Sequence, residues 1–187
     1  MKPIVRFLVV VFASYSFPVW SQDPIPFVPS PAFVVDRMLE LAEVKKDDVV
    51  YDLGSGDGRI LIQAAKKYGV RGVGIDMNAA LVEQAKRNAV QEKVGHLVQF
   101  RAADGLTVDI SEATVVTLYM FKWFNNQMRP KLQQLKPGSR VVAHDFDIDE
   151  WTPTKIENVD PSSDASGELT HARTLYLWRV GAQPQAP

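Results

Sequence analysis

From Val49 to Phe146 the chain alternates short apolar runs with amphipathic stretches of helical length, and this alternation restricts its fold more than any other feature. Val49–Leu53 (VVYDL), Arg71–Asp76 (RGVGID), His96–Asp104 (HLVQFRAAD), Ala113–Met120 (ATVVTLYM) and Ser139–Phe146 (SRVVAHDF) read as strands. A helix from Arg59 closes at Gly69, the residue type that ends helices left-handed. Asn78 caps a second helix carrying Leu81, Val82, Ala85 and Ala89, and Asn125–Gly138 is helical around Pro130. Such alternation implies a parallel sheet covered by helices on both faces. Ala113–Met120 is apolar nearly throughout, as a central parallel strand should be. Pro153–Asp160 and Ala172–Val180 are strands joined only by a polar loop, which predicts an antiparallel finish. The expected fold is α/β, Rossmann-like and doubly wound.

Ahead of this body lie two segments of different character. Lys2 and Arg6 precede the apolar run Phe7–Phe17, Pro18 breaks it, and Val19-Trp20-Ser21 offers a cleavage site. The run is shorter than the ~20 apolar residues of a transmembrane helix. Residues 1–21 therefore read as an export signal or a short anchor, engaging the membrane or the export machinery. Either reading puts the body on the non-cytoplasmic side, periplasmic or membrane-anchored facing out; without a signal it would be cytoplasmic. Residues 22–31 (QDPIPFVPSP) hold four prolines and form an extended arm. Ser30 is placed to cap, and Pro31 to begin, a helix reaching about Val44. Residues 32–182 then make one domain and 183–187 a disordered tail.

With 187 residues there is room for one domain with a proper core. A net charge of −1 lacks the basic excess of a nucleic-acid binder, and Lys122, Arg129, Lys131, Lys136 and Arg140 read as a solvated helical face. The absence of cysteine excludes disulfides, thiolate metal sites and cysteine nucleophiles.

The chemistry concentrates in Asp52–Arg59, D-L-G-S-G-D-G-R. A phosphate-binding P-loop needs a lysine that is missing here. A dinucleotide loop needs Gly or Ala where Arg59 stands. What remains is D-x-G-x-G-x-G with an acid at the strand end, which suits a ligand carrying an ammonium. Asp76 ends the next strand, where a carboxylate takes ribose hydroxyls, and Asp104 ends the third, where an acid accepts from an adenine amine. One such acid alone often only caps a turn. Three at successive strand ends around a glycine loop point to S-adenosylmethionine.

At this point the sequence resembles class I S-adenosylmethionine-dependent methyltransferases. The segments FVPSP, VYDLGSGDGRILIQAA, GVGIDMN, SEATVVTLYM, RPKLQQLKPGSRVVAHDF, EWTP and LYLW narrow the resemblance. They resemble the archaeal broad-specificity protein-lysine methyltransferases and the mitochondrial enzymes that methylate the c-ring protein of ATP synthase and adenine nucleotide translocase. The resemblance spans Phe27 to Val180 and implies a seven-stranded sheet with an antiparallel last strand. It further implies methyl transfer to a lysine of a protein partner; such an in-line displacement needs no metal, and the charge gives no hint of a nucleic-acid partner. By position, Asp52, Gly54, Ser55, Gly56, Gly58, Asp76, Met77 and Asp104 become cofactor contacts. The arm residues Phe27, Pro29 and Ser30 would fold over the cofactor and shape the acceptor channel. The family's arm usually opens with Tyr and has Thr before its second proline, where this chain has Phe27 and Ser30.

On the acceptor side, Tyr119 ends the fourth strand and is either plain core or the group that orients the amine. His144 and Asp145 end the fifth strand and read as structural. Asp145–Glu150 (DFDIDE) reads as a solvated acidic edge able to attract a basic protein. No asparagine-proline-proline-aromatic motif follows the fourth strand, which argues against amino methylation of bases. The alternatives are an exported binding module that keeps the fold without turnover, and a small-molecule methyltransferase.

Overall fold

A computed structural model describes residues 27–159 and 173–181. The leader, the loop at 160–172 and the 183–187 tail lie outside the described residues. Helices α1 (Ala32–Leu41), α2 (Arg59–Tyr68), α3 (Ala79–Gln91) and α4 (Lys122–Gln133) surround strands β1 (Val49–Leu53), β2 (Arg71–Asp76), β3 (Val98–Ala102), β4 (Val115–Leu118), β5 (Arg140–His144), β6 (Lys155–Val159) and β7 (Arg173–Arg179). They form one seven-stranded sheet of order β3-β2-β1-β4-β5-β7-β6. The first five strands pair in parallel, while β7 runs antiparallel between β5 and β6.

Successive strand side chains point to opposite faces, and the core divides accordingly. Val50, Val115 and Val142 join the cluster under α1, α2 and α3, whereas Tyr51, Val116 and Val141 join the one under α4. Burying Ile60, Leu61 and Ile62 holds α2 to its face, at ~1.5–3 kcal/mol for each fully buried side chain. Gly69 ends that helix at φ +67, and the Asn78 side chain accepts from the Ala80 and Leu81 amides to start α3, as expected.

At the edge of the sheet formed by the N-terminal ends of the parallel strands, Arg140 and Asp48 form a buried pair with Nη2–Oδ2 2.5 Å. Arg140 Nε also donates to the Ala42 carbonyl at 2.9 Å, and Thr114 Oγ1 donates to Asp48 Oδ1 at 2.6 Å. Burial works against the Asp48 charge, but the bonds from Arg140, Thr114 and the Lys45 amide hold its carboxyl below the usual range.

Several expectations change. Arg140 is not part of a solvated basic face, and Lys131 Nζ donates to the Leu106 and Val108 carbonyls at 2.7 and 2.8 Å. Lys122 bridges Asp147 and Asp149, and Arg129 pairs with Glu150, so the acidic edge is largely neutralised by α4. Helix α1 stops at Leu41, because Glu43 turns left-handed at φ +49. Its N-cap is Pro31, with no side-chain cap; the Ser30 hydroxyl is committed to β5.

Candidate active site

The glycine loop leaves β1 and turns back on the end of β2. Gly54 and Ser55 amides both donate to the Ile75 carbonyl, at 2.8 and 3.0 Å. Gly54, Gly56 and Gly58 have φ of +82, +52 and +83, the left-handed region that only glycine enters without strain. A Cβ on Gly54 would collide with Met120, and one on Gly56 with Phe27. The loop is thus flanked by the end of β4 and by the arm.

Beneath it Asp52 is 1% exposed. Register places it beside Thr117, whose hydroxyl donates to Oδ1 at 2.7 Å, while Oδ2 has no partner. Burial, with Asp76 and Asp57 nearby, raises its pKa to about 7 against the opposing Thr117 bond. A carboxyl in this state answers to any cation brought to the loop.

Asp76 is half-buried and ties the neighbouring turns together. Its Oδ2 accepts from the Gly56 amide and its Oδ1 from the Asn78 amide, both at 2.8 Å, and each oxygen keeps a free lone pair. Asp104 lies two residues beyond β3, half-buried, with Oδ1 taking the Leu106 amide at 2.9 Å. Met77 is 72% exposed. Ser55 is buried with an unpartnered hydroxyl, in space that Gly74 leaves open.

Tyr119 follows β4 and is half-buried. Its ring stacks on His144 at 4.0 Å with 28° between planes, and the Phe146 ring lies 6.3 Å away. Burial, reinforced by Asp145, raises its pKa, so the phenol is neutral at ordinary pH. The arm reaches the same place: Ser30 Oγ lies 3.0 Å from His144 Nδ1, and the Ser30 carbonyl accepts from Arg59 Nη1 at 3.0 Å. Phe27 and Val28 remain 44% and 55% exposed, and Phe121, 39% exposed, meets Phe146 edge-on at 5.7 Å, which makes this side of the site apolar.

Sequence reasoning treats His144 as structural and misses Thr117, Met120 and the tie from Arg59 to the arm. Parallel register alone could have paired Thr117 with Asp52. The contacts of Arg59 and His144 with residue 30 leave no local trace. Among the described residues no cluster of His, Cys, Asp or Glu could hold a metal, and no helix is long and apolar enough to cross a membrane.

A family model described as the ANTKMT methyltransferase domain matches residues 52–155. The chain belongs to this methyltransferase family. A protein-lysine N-methyltransferase of Saccharolobus islandicus is 43% identical over 159 residues, covering 84% of this chain and 94% of the relative. The adenine nucleotide translocase lysine N-methyltransferase of Mus musculus is 31% identical over 134 residues, with 71% of this chain matching 58% of that protein. Among solved structures, an RNA methyltransferase from Salinibacter ruber in complex with S-adenosyl-L-homocysteine is 48% identical with a TM-score of 0.74. That match covers 85% of this chain and 98% of the other. The methyltransferase assignment accounts for the glycine loop, the acids beside it and the strand order together.

Proposed function

We propose that this methyltransferase moves a methyl group from S-adenosylmethionine to the ε-amine of a lysine in a protein substrate. The observation that carries the cofactor is Asp52, buried under the glycine turn with one oxygen unpartnered. A buried polar atom without a partner is costly, and a cationic ligand above the loop would offset that cost. The residues fit the group: Asp76 has lone pairs for ribose hydroxyls, Asp104 can accept from the adenine amine, and Gly54 exposes backbone. When bound, the cofactor supplies a methyl group on an electron-poor sulfonium.

The protein's task is alignment, since an in-line displacement gains several kcal/mol from positioning alone. The acceptor amine must arrive neutral, its proton passing to water. The neutral Tyr119 phenol can accept an N–H of that amine and point its lone pair inward. The exposed rings of Phe27 and Phe121 suit the aliphatic stem of a lysine. The relatives from Saccharolobus and Mus support lysine, and the name of the Salinibacter structure favours RNA as the second reading. We favour protein because the net charge is −1 and the cations of α4 are engaged with carboxylates and carbonyls.

The leader at residues 1–21 supports an exported body. A reporter active only outside the cytoplasm, fused after residue 30, tests this; a silent reporter rejects export. For the reaction, the protein is incubated with methyl-labelled cofactor and a mixed extract. Label recovered as methyl-lysine after acid hydrolysis is the expected result. Label released by ribonuclease, with none on lysine, would establish the RNA reading instead.

A further inference from the structure

We propose that His144 is a positioning residue that fastens the proline arm across the glycine loop and holds the Tyr119 ring. Cofactor retention and acceptor alignment then depend on one buried imidazole. The inference rests on the methyltransferase site described above, and its first half is independent of the acceptor.

His144 is fully buried, and Ser30 is 3% exposed, so their 3.0 Å contact is shielded from water. The neighbours of the imidazole favour one tautomer. Its Nε2 faces Asp145 Oδ2 at 3.5 Å with no hydrogen-bond partner, and a carboxylate there favours N–H on that nitrogen. Nδ1 is left with a lone pair and accepts the Ser30 O–H. Asp145 is itself fixed by β7, taking the Thr174 amide on Oδ1 at 3.0 Å and Arg173 Nη1 on Oδ2 at 3.1 Å. It also stands at φ +61, an uncommon conformation for a residue with a side chain.

The bond matters because of what surrounds Ser30. Pro29 and Pro31 flank it and stiffen the chain, so fixing Ser30 fixes its neighbours. Phe27 lies against Gly56. The segment 27–31 has no helix or strand of its own, and the described side-chain ties of Ser30 are those to Arg59 and His144. On its other side the imidazole carries the stacked Tyr119 ring. Ser30 lies just outside the N-cap, which is Pro31 with no polar side chain, and its hydroxyl is turned to His144.

The test uses four single variants of the full chain. Ser30→Ala and His144→Phe remove the bond, and the latter keeps a ring against Tyr119. Ser30→Thr keeps the hydroxyl. His144→Asn keeps a polar atom near the Nδ1 position and loses the ring. Release of bound S-adenosylhomocysteine is followed by stopped flow, alongside thermal stability. Ser30→Ala and His144→Phe should each speed release roughly 5–10-fold, the worth of one hydrogen bond. Ser30→Thr should match wild type, and the Ser30→Ala/His144→Phe double variant should release no faster than either single one. Wild-type release rates in both, or an additive double variant, would overturn the latch. His144→Asn should keep slow release and lower kcat on whichever macromolecule the wild type labels. An unchanged kcat would overturn the Tyr119 half. Wild-type enzyme that labels no lysine, with the release pattern intact, rejects the lysine reading and leaves the latch standing.

Discussion

At Asp52 protonation and ligand charge compete for the same oxygen. Its folded pKa of about 7 stands above the ordinary 3.8, so the folded state binds the extra proton between those values. The stability it contributes is present at low pH and is lost as pH rises through 7. A cationic ligand reverses the preference, because it favours the ionised carboxyl. S-adenosylmethionine affinity should therefore rise with pH up to about 7 and release protons, read by calorimetry in buffers of different ionisation enthalpy. Asp52→Asn should weaken binding roughly 10–100-fold and abolish the proton release. Gly56→Ala tests the loop beside it. Its φ of +52 and the Phe27 ring both oppose a methyl group, at a cost of ~1 kcal/mol or more, visible as lower thermal stability and weaker cofactor binding.

Among elements, the Arg140–Asp48 pair joins the end of α1 to β1, β4 and β5. Asp48→Ala would leave the guanidinium buried without its counter-charge and should cost ~3–5 kcal/mol in urea unfolding with an unchanged m-value. Asp48→Ala combined with Arg140→Met should recover much of that loss. The five parallel strands were legible because each is a short apolar run beside a turn, and the antiparallel finish because no helix separates the last two. Asn78 and Gly69 announced themselves through local capping chemistry. Arg140 did not, since a strand-end arginine and a surface arginine look alike until the facing carboxylate is placed. Ser30-Pro31 misled because the helix begins one residue later than expected: Pro31 takes the N-cap position, and Ser30, outside it, turns to His144. Three acids near the cofactor cradle could be named from sequence, while the ties of Thr117, Arg59 and His144 depend on tertiary contacts.

Over the whole molecule, two buried groups set opposite pH slopes. Burial lowers His144 to about 4, with Arg173 adding to that effect and Asp145 opposing it. Ser30 and the Tyr119 ring are its other polar neighbours. The unfolded histidine, at 6.5, binds more protons in that window, so stability falls as pH drops from 6.5 towards 4. Asp52 has the contrary sign over an overlapping range and offsets part of this loss. Without cofactor, Asp52→Asn should therefore steepen the acid loss of stability, and His144→Phe should reduce it, in urea titrations at stepped pH. The tie between Ser30 and His144 spans 114 positions of sequence. During synthesis the arm leaves the ribosome long before the strand that anchors it. A nascent chain can complete the cofactor loop early, yet it cannot close the site until β5 has emerged and joined the sheet. A chain that has not yet made β5 therefore lacks this contribution to holding its cofactor.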